Sequence, residues 1–271
     1  MKRLMAAVLV ICFFIDLTGA QAKILVISDI DDTLKVSHVL SKAGAASSAL
    51  DYSSRFVGMS EIFQALQQTH ADIEFHYISL APKALMEGIH KKFLQHNKFP
   101  VTKLHLNPGW KQDPELKQRV IRQLLSEKQP EKILYFGDNG QFDVIVYAQM
   151  KKEFPHIPET TYIREAYSSR DCSPYPTQNG QIGFVTSVEV AMDLIQKNLI
   201  PHYIYGLIEH IVYEQIQRDD SSETFGPMVF PGWQDCRDFV WRWGEPAEAG
   251  KLAYIQFMIE RKCQISLLAM N

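Results

Sequence analysis

From Lys23 to Ile27 the chain is rich in Ile, Leu and Val without alternation, the pattern of a strand buried on both faces of a parallel sheet. Val36 to Gly58 is small, polar and aperiodic, which predicts a flap or loop with short helical turns. Met59 to His70 reads as a helix with Ile62, Phe63 and Leu66 on one face. A second strand is expected over Glu74 to Ser79, followed by a helix that Pro82 opens and that runs to about His96. Val101 to Leu106 is a third strand, broken by Asn107-Pro108-Gly109. Asp113-Pro114 caps a helix carrying Leu116, Val120, Ile121, Leu124 and Leu125. Lys132 to Phe136 is a fourth strand. After Asn139-Gly140 a hairpin competes with a helix, and the helix formers from Tyr147 to Phe154, stopped by Pro155, favour the helix. Thr160 to Glu165 is a fifth strand. Such a strand-helix series predicts an α/β fold with a doubly wound parallel sheet, whose ligand sits beyond the strands' carboxyl ends.

Beyond Cys172 the texture changes. Ser173-Pro174-Tyr175-Pro176 with Asn179-Gly180 reads as loop or linker, and Val188 to Leu199 and His202 to Gln217 as amphipathic helices. Phe225, Phe230, Trp233, Phe239, Trp241 and Trp243 make the remainder aromatic-rich. They can pack on the sheet as a small helical cap, the reading preferred here, or dip into lipid. His202, Glu209, His210 and Glu214 show no ligand pattern. The division expected is residues 1–22, 23–170 and 171–271: a leader, an α/β core, and a mainly helical extension packed on it.

The 271 residues are 46% hydrophobic and 22% charged, an ordinary globular composition, and a net charge of -3 argues against nucleic-acid binding. Lys2 and Arg3 before the apolar run Leu4 to Ile15, with Ala20-Gln21-Ala22 after it, read as a signal peptide cleaved after Ala22. That implies export to the periplasm or beyond, with no transmembrane span in the mature chain; an uncleaved anchor or a buried helix is the alternative. Cys172, Cys236 and Cys263 would then remain, enough for one internal disulfide of unspecified pairing.

The candidate chemistry gathers at the expected strand ends. Asp29 and Asp31, two residues apart after the first strand, point the same way and can share one metal ion or one phosphate. Asp29 can attack phosphorus, and Asp31 can protonate the leaving oxygen and then activate water. Clustered carboxylates call for a hard cation such as Mg²⁺; an Asp-rich cap or turn is the competing reading. Asp138 ends the fourth strand after Gly137, which permits close backbone approach, and Asp143 can reach back from a helix start. Ser79 precedes a helix as an anion ligand or a simple cap. Lys117 occupies a helix's first turn, unfavourable for a cation unless a phosphate uses it, though most such lysines are solvated.

Asp29-Ile30-Asp31-Asp32-Thr33, Ser79, Lys117 and Gly137-Asp138 with Asp143 resemble the four motifs of haloacid dehalogenase-like phosphatases. That resemblance implies a Rossmann-like core with a short flap, Asp29 as nucleophile and Asp31 as general acid and base. It places Ser79 and Lys117 around the substrate phosphate, with Thr33 bracing the first loop beside it. Mg²⁺ would be held by Asp29, the backbone carbonyl of Asp31, and Asp138, with Asp143 near or in the shell. A narrower likeness, carried by Asp31 to Lys35, Phe75 to Ser79, Lys117 with Ile121, Gly137 to Tyr147 and Tyr162-Ile163-Arg164, is to the phosphatidate phosphatase catalytic domain of the yeast actin-patch protein type and its bacterial relatives. It implies phosphatidate, met at a membrane surface, as substrate and diacylglycerol as product. The other expectations kept open are a phosphatase of soluble monoesters and a non-catalytic lipid- or protein-binding member of the fold.

Overall fold

The computed structural model describes residues 23–41, 43–44, 50–111, 113–168, 175–218, 225–244 and 249–268, with side chains of the last helix to residue 264. The expected signal peptide and Cys172 lie outside the described residues. In chain order the elements are β1 (Ile24–Ser28), β2 (Arg55–Phe56), α1 (Met59–Thr69), β3 (Ile73–Pro82), α2 (Lys83–His96), β4 (Lys103–Asn107), α3 (Leu116–Lys128), β5 (Lys132–Asp138), α4 (Asp143–Glu153), β6 (Glu159–Arg164), β7 (Gln181–Phe184), α5 (Ser187–Gln196), α6 (His202–Gln217), β8 (Pro227–Met228) and α7 (Lys251–Leu268).

Six strands form one parallel sheet in the order β4-β3-β1-β5-β6-β7. β1 is buried on both faces because its neighbours sit on both sides and helices cover both layers. Ile24 and Val26 join the core with α1, α2, α5, α6 and α7, whereas Leu25 and Ile27 join the core with α3 and α4. On the first face Phe63 packs against Phe75, Tyr77, Phe99 and Phe136. Truncating such a ring to alanine costs about 3–5 kcal/mol. The chain runs outward from β1 through β3 to β4, then returns to β5 on β1's other side. The order therefore reverses between β1 and β5, where a parallel sheet opens a crevice.

The differences from the sequence reading are local. β3 continues through Pro82, so that proline precedes α2 instead of opening it. The stretch between Asn179-Gly180 and Val188, to which the sequence reading gave no element, contains the sixth strand of this sheet, β7, with Gly180 turning at φ +89° just before it. Four residues with a glutamine and a glycine carry too little periodicity to stand out. α5 begins at a capping box in which Thr186 and Glu189 satisfy each other's backbone and side chain. A small second sheet pairs β2 with β8, tying the flap to the aromatic region. There Trp233 stacks on His38 at 4.5 Å and on Tyr167 at 5.3 Å, so this aromatic packs on the core. Cys236 and Cys263 form a disulfide that joins this segment to α7.

Candidate active site

Asp29 follows β1 and donates its backbone N–H to Phe136 of β5, which sets it beside the carboxyl end of that strand. Asp138 ends β5 and Asp143 opens α4, the helix having formed where a hairpin was the alternative. Carboxylate oxygens of Asp29, Asp138 and Asp143 lie within 4.8 Å of one another, and all three residues are buried. The turn between them depends on glycine: a Cβ on Gly137 would meet Asp143 at 2.5 Å, and one on Gly140 the Tyr167 ring at 2.5 Å. Lys117, on the first turn of α3, reaches Asp29 Oδ1 at 2.7 Å and Asp143 Oδ1 at 2.5 Å.

This cluster holds more negative than positive charge. Burial pushes the Asp29 and Asp138 carboxyls up, and the neighbouring carboxylates add to the shift; Lys117 opposes it without cancelling it. Burial pulls the Lys117 amine down, but Asp143 and Asp29 outweigh it and hold the amine above the ordinary lysine range. Three buried, oxygen-only ligands with a single ammonium between them fit a hard divalent cation. These residues can hold a metal ion.

Asp31 behaves differently. Its carboxylate has partners of its own, accepting a hydrogen bond from Ser37 Oγ at 2.7 Å and lying 3.2 Å from Nε2 of the fully buried His90. Burial works to raise its pKa, but His90, Lys35 and Ser37 outweigh that and hold it well below the usual carboxylate range. Asp32, in the left-handed region at φ +58°, accepts backbone N–H bonds from Ser37, His38 and Val39 and a 2.5 Å bond from the Tyr167 hydroxyl. Asp32 therefore ties the flap to the loop after β6. Burial pushes its carboxyl up to about 6 against those donors.

The remaining expected residues stand at the same sheet edge. Ser79 is buried near the end of β3, its hydroxyl accepting from the Ala81 N–H at 3.2 Å. Thr33 is buried, and its hydroxyl has no hydrogen-bond partner among the described residues. Its carbonyl accepts from Arg164 Nε at 3.0 Å, and Arg164 lies 3.7 Å from the Phe56 ring centroid while bonding Val185.

A family model described as phosphatidate phosphatase APP1, catalytic domain, matches residues 24–165. The chain belongs to that family. The match begins with β1 and ends one residue beyond β6, so it contains Asp29, Asp31, Thr33, Ser79, Lys117, Asp138 and Asp143. A protein of Schizosaccharomyces pombe, described only as uncharacterized, is 26% identical over 158 residues, covering 53% of this chain. The match spans 25% of that relative's own length. Two solved structures are distantly similar: the Pnkp1/Rnl/Hen1 complex, at 15% identity over 53% of this chain and 47% of that one with a TM-score of 0.36, and the Methanocaldococcus jannaschii UDP-GlcNAc 2-epimerase in complex with UDP-GlcNAc and UDP, at 13% over 74% and 51% with a TM-score of 0.39.

For this member of the APP1 catalytic-domain family, His90 and Tyr167 went unremarked in the sequence, and Asp32 and Arg164, quoted there only within the motifs, were given no role of their own. His90 had a signal. It stands three and four positions before Phe93 and Leu94, on the buried face of α2, where an imidazole needs a reason. Arg164, ending a buried strand, had the same kind of signal.

Proposed function

We propose that the chain is a Mg²⁺-dependent phosphatase that hydrolyses a phosphate monoester through an aspartyl-phosphate on Asp29, with phosphatidate as substrate and diacylglycerol as product. The observation that carries the reading is the buried Asp29–Asp138–Asp143 cluster with Lys117 inside it, at the point where strand order reverses. Asp29, Asp138 and Asp143, with the Asp31 backbone carbonyl, would hold the ion. When bound, it would neutralise the carboxylates and the charge on the phosphoryl oxygens.

Asp29 Oδ attacks phosphorus, forming the Asp29 O–P bond as the bond to the leaving oxygen breaks. Asp31 gives that oxygen its proton. His90 and Ser37 hold Asp31 ionised in the resting site, and an arriving phosphate dianion beside it favours the protonated form. In the second half Asp31, ionised again, takes a proton from water, which attacks phosphorus and releases Asp29 with inorganic phosphate. Lys117 keeps Asp29 and Asp143 in register and places an ammonium near the phosphoryl oxygens. Ser79 and the Thr33 hydroxyl complete the phosphate cradle, and Arg164 fixes the Thr33 carbonyl from below.

The test is phosphate release by the purified chain from phosphatidate and from nucleotide and sugar monophosphates, with Mg²⁺ or with EDTA. The expected result is Mg²⁺-dependent release that favours phosphatidate. Release unaffected by EDTA would remove the metal from the reading, and no release from any ester would remove the phosphatase. We also propose export through residues 1–22, which the Cys236–Cys263 disulfide supports, since such bonds persist in oxidising compartments. A mature chain beginning at Lys23 in its mass spectrum is the expected outcome.

A further inference from the structure

Beside the catalytic edge the fold raises an apex that the core does not use. None of the first seven residues of α2, Lys83 to Ile89, is buried; the helix meets the core only at His90, Phe93 and Leu94. Leu85 is 59% exposed, and Met86 is half-buried beside it. The next loop rises alongside, because Pro82 and Asn107 are register partners at the ends of β3 and β4. The Asn107 side chain bridges that loop, donating to the Lys111 carbonyl at 2.6 Å and accepting from the Gly109 N–H at 3.0 Å. The bridge makes a tight turn with Trp110 at its tip, 71% exposed. Lys83 and Lys111 flank the two apolar tips and are both exposed. Glu87 is the acidic group on this stretch of α2, and it lies within ion-pair reach of Lys83 and Lys91.

We infer that this apex, Leu85 and Met86 with Trp110 between Lys83 and Lys111, docks the protein on a bilayer surface carrying anionic phosphate headgroups. The inference rests on the phosphatidate reading above and assigns how that substrate is met. A protruding tryptophan and leucine flanked by two ammonium groups suits the interfacial zone, where an indole sits between acyl chains and water and lysines meet headgroup phosphates. Protein interfaces also favour tryptophan and methionine but deplete lysine, so the two flanking lysines favour the bilayer. The placement also serves the chemistry. α2 descends from the apex until His90 touches Asp31, and β3 descends from it to Ser79. A headgroup entering beside the apex therefore has a short path to Asp29 while its acyl chains stay in the bilayer.

The experiment uses the full chain and vesicles of phosphatidylcholine, with or without phosphatidate, whose acyl chains carry bromine. In the wild type the bromine quenches Trp110 emission, more with phosphatidate present, and Trp110→Phe loses that quenched component while Trp233, Trp241 and Trp243 still emit. The double variant Leu85→Ser, Trp110→Ser lowers vesicle partitioning roughly tenfold or more. Its turnover of vesicle phosphatidate falls in proportion, and its turnover of a water-soluble monoester stays at the wild-type level. Equal quenching in wild type and Trp110→Phe overturns the inference, as does equal vesicle binding by the double variant. Loss of soluble turnover in that variant overturns it too, by giving these residues a structural role. A chain that ignores vesicles but self-associates through Trp110 assigns the apex to a second copy instead. Short-chain phosphatidate dissolved as monomers keeps the two readings apart. Failure to cleave it sinks the substrate, whereas cleavage combined with variant-independent vesicle binding sinks only the docking surface.

Discussion

Asp29 and Asp31 stand two residues apart, yet the fold gives them opposite surroundings. Asp29 faces two other buried carboxylates and shares one lysine with them, supplied by β5, α3 and α4. Asp31 faces the imidazole of α2 and the hydroxyl of Ser37 on the flap. The first environment pushes a carboxyl up and the second pulls one down. Two groups whose surroundings separate their pKa values are suited to two roles, and here the separation follows from which helix each residue meets. On the proposed reading the side with excess charge would need a cation before Asp29 could attack, and the other side, needing none, would keep Asp31 ready to take a proton.

The most direct way to break the comparison is to remove each carboxylate in turn. Asp29→Asn should lower kcat by about 10⁴-fold or more, because nothing else in the cluster can take its covalent role, while circular dichroism stays native. Asp31→Asn should lose roughly 10²–10³-fold, the range of general acid–base catalysis. The sharper difference is qualitative. Acid quenching during turnover should trap phosphate on the Asp31→Asn protein, whose second half-reaction is slowed, and none on Asp29→Asn. Label on the second variant and not the first would exchange the two roles.

A third, smaller effect concerns the charge excess. Mg²⁺ that binds only the folded chain should stabilise it by about 2.7 kcal/mol at a hundredfold excess over the dissociation constant, raising Tm. Asp138→Asn removes one ligand and one buried negative charge. Its metal-free Tm should therefore be higher than the wild type's and its response to Mg²⁺ smaller. An unchanged response would mean that the cluster is not where the ion binds.

Why the Asp29 side could be read from the chain and the Asp31 side only in part follows from how each is built. Asp29, Asp138 and Asp143 sit at strand ends and helix starts, positions that hydrophobic periodicity locates, and Lys117 betrays itself by its place in a first helical turn. Their convergence then follows from parallel topology alone. The partners of Asp31 and Asp32 come from the middle of α2, from an aperiodic flap and from the loop after β6, where no local pattern states who meets whom. β7 escaped because four residues cannot display a period, and the Thr186–Glu189 capping box before α5 was legible but unread. The aromatic tail could be recognised as packing material, whereas the choice of His38 and Tyr167 as Trp233's neighbours depends on the closed fold.

The smallest predicted effect tests whether His90 alone sets Asp31 apart. His90→Asn keeps a polar side chain in the buried position but withdraws the imidazole from Asp31, leaving Lys35 and Ser37 as its remaining stabilisers. Asp31 should then titrate closer to the ordinary carboxylate range, so the acidic limb of the pH–rate profile moves to higher pH, with kcat down by about tenfold near neutrality and KM little changed. Stability must follow with the opposite sense to Asp29. A carboxyl whose folded pKa is depressed stabilises the fold above its unfolded value and loses that contribution as pH falls. The wild type therefore gains Tm on rising out of the acid range partly through Asp31, and the His90→Asn protein gains less. If the acidic limb stays in place, the pull on Asp31 comes from Lys35 and the flap, and the contrast between the two aspartates belongs to the loop itself instead of to the helix packed against it.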